Sequence, residues 1–210
     1  MKKVVFYMAL SLSYQLFATQ NITLKDVTVT AQKSEEKLRK VPISVTAFDE
    51  SDIEDKQISN LDDIAKFTPN LLLYNTGQQG LTWPSVRGIS ANISPLSTPV
   101  ALYVDGIAYM NSFGYGDELE DIERIEILRG PQGSLYGANS QSGVINVISK
   151  KPDNETGTKA TAKIGNKGRL DISANAAGAI VKDVFYIGVS AKHTQKDGFI
   201  KDAHSGNITN

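Results

Sequence analysis

The 210-residue chain sets 22 Lys and Arg against 23 Asp and Glu, a formal net charge of -1 with a pI of about 6.1, which excludes the basic footprint of a nucleic-acid binder. Its lysines and arginines are scattered, so no polybasic membrane patch is present. The chain has no cysteine, which excludes disulfides, thiolate metal sites and a cysteine nucleophile, while 40% hydrophobic residues suffice for a packed core.

The chain opens like an export signal. Lys2 and Lys3 form a positive start, Val4 to Leu12 a short apolar run, and Leu16-Phe17-Ala18 a cleavage site, so residues 1–18 are expected to be a signal peptide. The apolar run is too short to span about 30 Å of hydrocarbon, and no other segment could cross a membrane as a helix. Residues 19–40 follow as a polar segment with one β-branched stretch, Asp26 to Ala31. That stretch reads as a lone strand in a flexible tether or, on composition alone, as an edge strand of the next domain.

From Val41 the texture becomes that of a compact α+β unit, expected to run from 41 to 152. Ile43 to Phe48 is strand-like, and Ser51-Asp52-Ile53-Glu54 reads as a capping box that opens a short helix. Ser59 to Lys66 reads as a second helix closed by Pro69, with Leu61, Ile64 and Ala65 on one face. Asn70 to Tyr74 reads as a buried strand, Asn75 to Pro84 as a polar loop, and Val100 to Val104 as a strand ended by the Asp105-Gly106 turn. Ile122 to Arg129 alternates, with Ile125 and Ile127 on one face and Glu123 and Arg129 in phase at its ends. A Gly130–Gly133 turn and the apolar strand Val144 to Ile148 complete the unit.

Beyond Pro152 three longer segments alternate with period two: Lys159 to Ile164, Arg169 to Ala176 and Val184 to Thr194. Strands of about ten residues joined by tight turns match a membrane β-barrel, although a soluble sandwich hairpin alternates in the same way.

The block Leu119 to Gly137, continuing through Ser142-Gly143-Val144-Ile145-Asn146-Val147-Ile148 to Lys151-Pro152, closely resembles the end of the plug domain of TonB-dependent outer-membrane receptors. Ser85-Val86-Arg87-Gly88-Ile89, Leu102-Tyr103-Val104-Asp105-Gly106 and Val41-Pro42-Ile43-Ser44-Val45 fall in that family's order. Asp26-Val27-Thr28-Val29-Thr30-Ala31 lies where its coupling motif, the TonB box, belongs. The spacing is most similar to ferric-siderophore receptors of the yersiniabactin/pesticin receptor branch.

The resemblance implies an α+β plug, a small mixed sheet with short helices, followed by the first antiparallel strands of an incomplete transmembrane β-barrel at 153–210. A barrel of roughly 22 strands needs several hundred residues, so the chain is expected to be an N-terminal fragment. It also implies uptake of a ferric siderophore across the cell outer membrane, energised by TonB, with no cofactor and no metal site. Arg87, Glu123, Glu126 and Arg129 are the expected plug-barrel contacts; the two arginines would meet carboxylates on the barrel wall. Asp26, Val27, Thr28, Val29, Thr30 and Ala31 would bind TonB by adding a strand to its sheet. The apical loops 75–84, 91–99 and 109–115 would face ligand, with Gln78, Gln79, Asn92, Met110, Asn111 and Phe113 as candidates.

Other readings fit the same residues. Haem, cobalamin or a carbohydrate could be the cargo, and a soluble periplasmic plug-like module would need no barrel. A sensory transducer would need an extra domain before the coupling segment. An enzyme has least support: there is no phosphate-binding glycine motif, no nucleophile elbow and no carboxylate pair with a site around it.

Overall fold

The computed structural model describes residues 28–30, 33–34, 36–75, 81–90, 97–109, 114–115, 119, 121–166, 168–195, 197, 200–201 and 208–209. The expected signal peptide lies outside them. Among the described residues no helix is long and apolar enough to cross a membrane, which says nothing of strands.

In chain order, β1 (Thr28–Val29) pairs antiparallel with β2 (Glu36–Lys37) as a small ribbon. Next come β3 (Ser44–Asp49), helix α1 (Glu50–Asp55) and helix α2 (Leu61–Phe67). Then β4 (Leu71–Asn75), β5 (Thr82–Val86) and β6 (Ile89–Ser90) form an antiparallel meander. The hairpin β7 (Val100–Val104) and β8 (Ile107–Tyr109) precedes the long β9 (Ile122–Arg129), helix α3 (Gly133–Tyr136) and β10 (Gly143–Ser149). Three longer strands follow, β11 (Gly157–Ile164), β12 (Leu170–Val181) and β13 (Phe185–Gln195), and a short pair, β14 (Ile200–Lys201) with β15 (Ile208–Thr209).

The central sheet runs β3-β9-β10-β7-β8, with β10 and β7 parallel and the other neighbours antiparallel. Its strands alternate between two buried faces. Phe48, Val100, Leu102, Ile125, Ile127, Ile145 and Val147 point to one core, where Ile58, Leu61, Ile64 and Leu71 cover them. Ala101, Leu128 and Val144 point to the opposite face and pack with Tyr136 and Val29. Burial on both sides explains why β10 reads as a continuous apolar run. Each fully buried Ile or Leu stabilises the fold by roughly 1.5–3 kcal/mol.

Local chemistry differs from the sequence reading at three places. The first helix is capped by Asp49, whose Oδ1 accepts the Asp52 N–H at 2.9 Å, and not by Ser51. Strand β3 runs straight into the helix, so the residue that ends the strand becomes the cap. The second helix is capped by Asn60, whose side chain accepts the Asp63 N–H. Burial works against the Asp63 charge, but hydrogen bonds from Lys66 and the Ser59 N–H outweigh it and hold the carboxyl below its ordinary range. The segment expected to be a polar loop holds most of β5: Thr82, Pro84, Ser85 and Val86 are buried, and Pro84 lies opposite Leu73. Among the described residues β6 pairs only with Ser85 and Val86, so Pro84 lies at an open edge of β5, where a strand tolerates a missing donor.

Candidate functional site

The site is built on the face of the central sheet that carries Leu128. On β9 the odd positions 125 and 127 enter the core under the helices, so 126 and 128 must face the N-terminal ribbon. Val29 is fully buried there, against Ala101, Leu128, Tyr136 and Val144. Beside it Glu126, also fully buried, accepts hydrogen bonds from four donor groups. The Thr30 N–H donates to Oε1 at 2.7 Å and the Thr30 hydroxyl at 3.1 Å. Arg124 Nε donates to the same oxygen at 2.9 Å, and Asn146 Nδ2 reaches Oε2 at 3.3 Å. A buried carboxylate is tolerable only with such compensation.

A second clamp lies on the same ribbon. Lys33 Nζ sits 5.0 Å from the Tyr103 ring centroid and 4.8 Å from that of Tyr136, the two rings meeting edge-on at 5.0 Å. The Tyr103 hydroxyl donates to the Tyr136 carbonyl at 2.6 Å. Burial, with the Glu126 charge behind it, pushes the Tyr136 phenol up to about 12.

These positions change two sequence expectations. Thr28 and Val29 form a short strand seated on the domain, with Thr30 bonded to Glu126 beside it, rather than a strand in a free tether; Asp26, Val27 and Ala31 lie outside the described residues. Glu126 is not the outward plug-barrel contact the resemblance implied: its carboxylate is fully buried under the ribbon, which covers that face. Glu123 stays half-exposed and pairs with Arg124.

Arg87 and Arg129 converge at the other end of β9. Arg87 is exposed, at φ 54° in the tight turn between β5 and β6, and its Nη1 lies beside Gly130. Arg129 Nη1 donates to the Pro69 carbonyl at 3.2 Å, but its buried Nε has no hydrogen-bond partner among the described residues. Among the described residues neither guanidinium meets a carboxylate.

Gln78, Gln79, Asn92, Met110, Asn111 and Phe113 lie outside the described residues. Tyr115, in one of the same expected loops, is fully buried: its hydroxyl bonds the Val100 carbonyl and lies 3.2 Å from Thr98 Oγ1. Burial raises its phenol well above the ordinary tyrosine range.

The strands β11–β13 reverse the polarity of a soluble sheet. Ile172, Phe185, Ile187 and Val189 are exposed on the side away from the domain, while Asp171, Ser173 and Asn175 turn toward it. A family model for the TonB-dependent Receptor Plug Domain matches residues 37–144. The chain belongs to the TonB-dependent receptor plug family. It is 28% identical over 156 residues to the pesticin receptor of Yersinia pestis, covering 74% of this chain and 23% of that protein. To the catecholate siderophore receptor Fiu of Escherichia coli K12 it is 31% identical over 134 residues, covering 62% of this chain and 17% of that one. The vitamin B12 transporter BtuB of Vibrio vulnificus is 29% identical over 203 residues, 91% of this chain and 31% of that one. Among solved structures, the ferric yersiniabactin uptake receptor FyuA of Yersinia pestis superposes with a TM-score of 0.75 at 26% identity, covering 79% of this chain and 26% of that chain. The chain therefore spans about a quarter of the length of the receptors it matches.

Within this family frame, the plug's contacts to β11–β13 run through residues the sequence reading did not single out. Lys159 pairs with Glu54 and lies 3.8 Å from Glu50, which also pairs with Lys150 of the plug itself, and Asn175 Nδ2 donates to Asp121 Oδ1 at 2.8 Å. The hydrogen bond and charge of Lys159 hold the Glu54 carboxyl below its ordinary range. Glu50 and Glu54 stand four apart on α1, so they share a helix face, but nothing local indicates a strand lysine 105 residues later as the partner.

Proposed function

We propose that this chain is the plug and first barrel strands of an outer-membrane receptor that takes up a ferric siderophore with energy supplied through TonB. The observation that carries this reading is the polarity of β12 and β13 against the plug: apolar residues outward and polar residues inward suit a barrel wall in lipid around a polar filling. Two relatives named for siderophore uptake support the cargo class. The match to a vitamin B12 transporter over 91% of the chain favours cobalamin as the second reading. A strain lacking the gene, supplied in turn with ferric siderophores and with cyanocobalamin as limiting nutrient, separates the two. Loss of growth on cobalamin alone would overturn the iron reading.

In the same reading, Thr28 to Thr30 belong to the coupling strand and Arg87 and Arg129 are plug-barrel contacts. The partnerless Nε of Arg129 supports the second role, since a buried charged donor needs an acceptor. The double variant Arg87→Ala/Arg129→Ala is expected to raise the leak of small solutes through the receptor in planar bilayers by about tenfold, the factor that ~1.4 kcal/mol represents. An unchanged leak removes these two residues from the barrel contact.

A further inference from the structure

We propose that Asp171 and Lys163 form a switch in β11–β12 that opposes seating of the plug. With the plug in place Lys163 turns to Ser59 and Asp171 keeps an unmet oxygen; when the plug lifts, the two residues pair. The proposal rests on the barrel-wall role given to these strands above.

Three observations carry it. First, Asp171 is only 8% exposed, and its Oδ1 is closed to solvent and without a hydrogen-bond partner among the described residues. The other oxygen, Oδ2, accepts Arg169 Nε at 2.8 Å. The plug's connection between α1 and α2 lies against this part of the wall, where Gln57, Ser59 and Asn60 line one cavity with Lys163, Arg169 and Asp171. A carboxylate oxygen that has lost water and gained no donor costs free energy, and the seated plug carries that cost.

Second, a donor that can meet this oxygen is at hand and is turned elsewhere. Lys163 stands opposite Asp171 in the β11–β12 register, and opposite residues share a sheet face with Cβ atoms about 5 Å apart. Yet among the described residues Asp171 pairs only with Arg169, while Lys163 Nζ donates to Ser59 Oγ of the plug at 3.5 Å. The Lys163 side chain is exposed, and following the carboxylate under the plug would strip water from its ammonium group.

Third, both changes on lifting act in one direction. Asp171 Oδ1 regains water or a donor, and Lys163 exchanges a long bond to a neutral hydroxyl for a charge-assisted bond to a carboxylate, the stronger kind. The pairs Lys159–Glu54 and Asn175–Asp121 act in the opposite direction and hold the plug to the wall. Lys159 and Lys163 lie four residues apart on one strand, so β11 grips the plug at one point and loosens it at the next. Opposed contributions of this kind bring the seated and lifted states closer in free energy.

The test is the leak of small solutes through the complete receptor in planar bilayers, without ligand, across a urea series. Asp171→Thr removes the carboxylate and keeps a residue that favours a strand. At a urea concentration where the wild type leaks slightly, this variant is expected to leak about tenfold less, the factor that one unmet buried acceptor represents. Lys163→Met is expected to lower the leak about threefold while Asp171 is present, as loss of a cross-strand charge pair implies, and not to lower it in Asp171→Thr. If Asp171→Thr does not assemble, Asp171→Ser takes its place. An unchanged or greater leak in the Asp171 variant overturns the proposal, and so does a Lys163→Met effect that is absent or equal in both backgrounds. A receptor that opens no channel at any urea concentration overturns the barrel reading and this proposal with it. A channel that opens with unchanged leak in the variants overturns the proposal alone.

Discussion

A receptor carrying Val29→Pro is expected to bind its ligand at the cell surface as the wild type does and to import almost none of it. Proline removes a backbone donor from the strand that would add to the partner's sheet, and main-chain hydrogen bonds are what such an added strand contributes. Binding should survive because Val29 belongs to the smaller core, with Ala101, Leu128, Tyr136 and Val144, while the larger core under α1 and α2 does not contain it. The check is a paired measurement of surface-bound and internalised radioactive iron complex. Uptake at the wild-type rate would mean that Thr28–Val29 is only a structural strand. Loss of binding together with uptake would show instead that the ribbon is needed to hold the plug's shape.

The second large effect is one of packing. Gly143→Val is expected to destabilise the plug by about 3 kcal/mol or more, above most single substitutions. Gly143 opens β10, opposite Arg129 on one side and Val100 on the other. A Cβ at this position would lie 2.6 Å from the Leu128 carbonyl oxygen and 3.4 Å from Val86 Cγ2. The first contact is with backbone in the middle of a sheet, which cannot swing aside, and the methyls of valine crowd Val86 as well. Gly133 provides the contrast, since nothing lies within 4 Å of its added Cβ. Gly133→Ala should change stability by no more than about 0.5 kcal/mol. Pulse proteolysis of the receptor across a urea series measures both. Equal midpoints for Gly143→Val and wild type would show that β9 and β10 can separate to make room.

The same glycine shows how far a local reading reaches. The glycine-rich run from 130 to 143 suggests tight turns, and Gly130 and Gly137 do take positive φ, at 119° and 69°. Gly143 is required for a different reason, the approach of a neighbouring strand, and no turn signal reports that.

Read by itself, the sequence determined which residues share a face. Period-two alternation on β9 placed Ile125 and Ile127 together, and the same period marked β11 to β13, because side-chain direction along a strand follows from the backbone alone. Its motifs also identified the plug family, and the matched residues agree. Only the tertiary structure decided what covers each face. Glu126 read as an outward charge and is buried because the N-terminal ribbon lies over it; Thr82 to Val86 read largely as loop and forms a strand because β4 is there to pair with it. Glu54 gained its lysine only when β11 came alongside α1, and Glu50 its nearer one from the segment that leaves β10. The physical reason is common to all three. Pattern and propensity act over a few residues, whereas a buried charge, an added strand or a cross-domain ion pair depends on a partner some ten to a hundred residues away, whose arrival no local signal records.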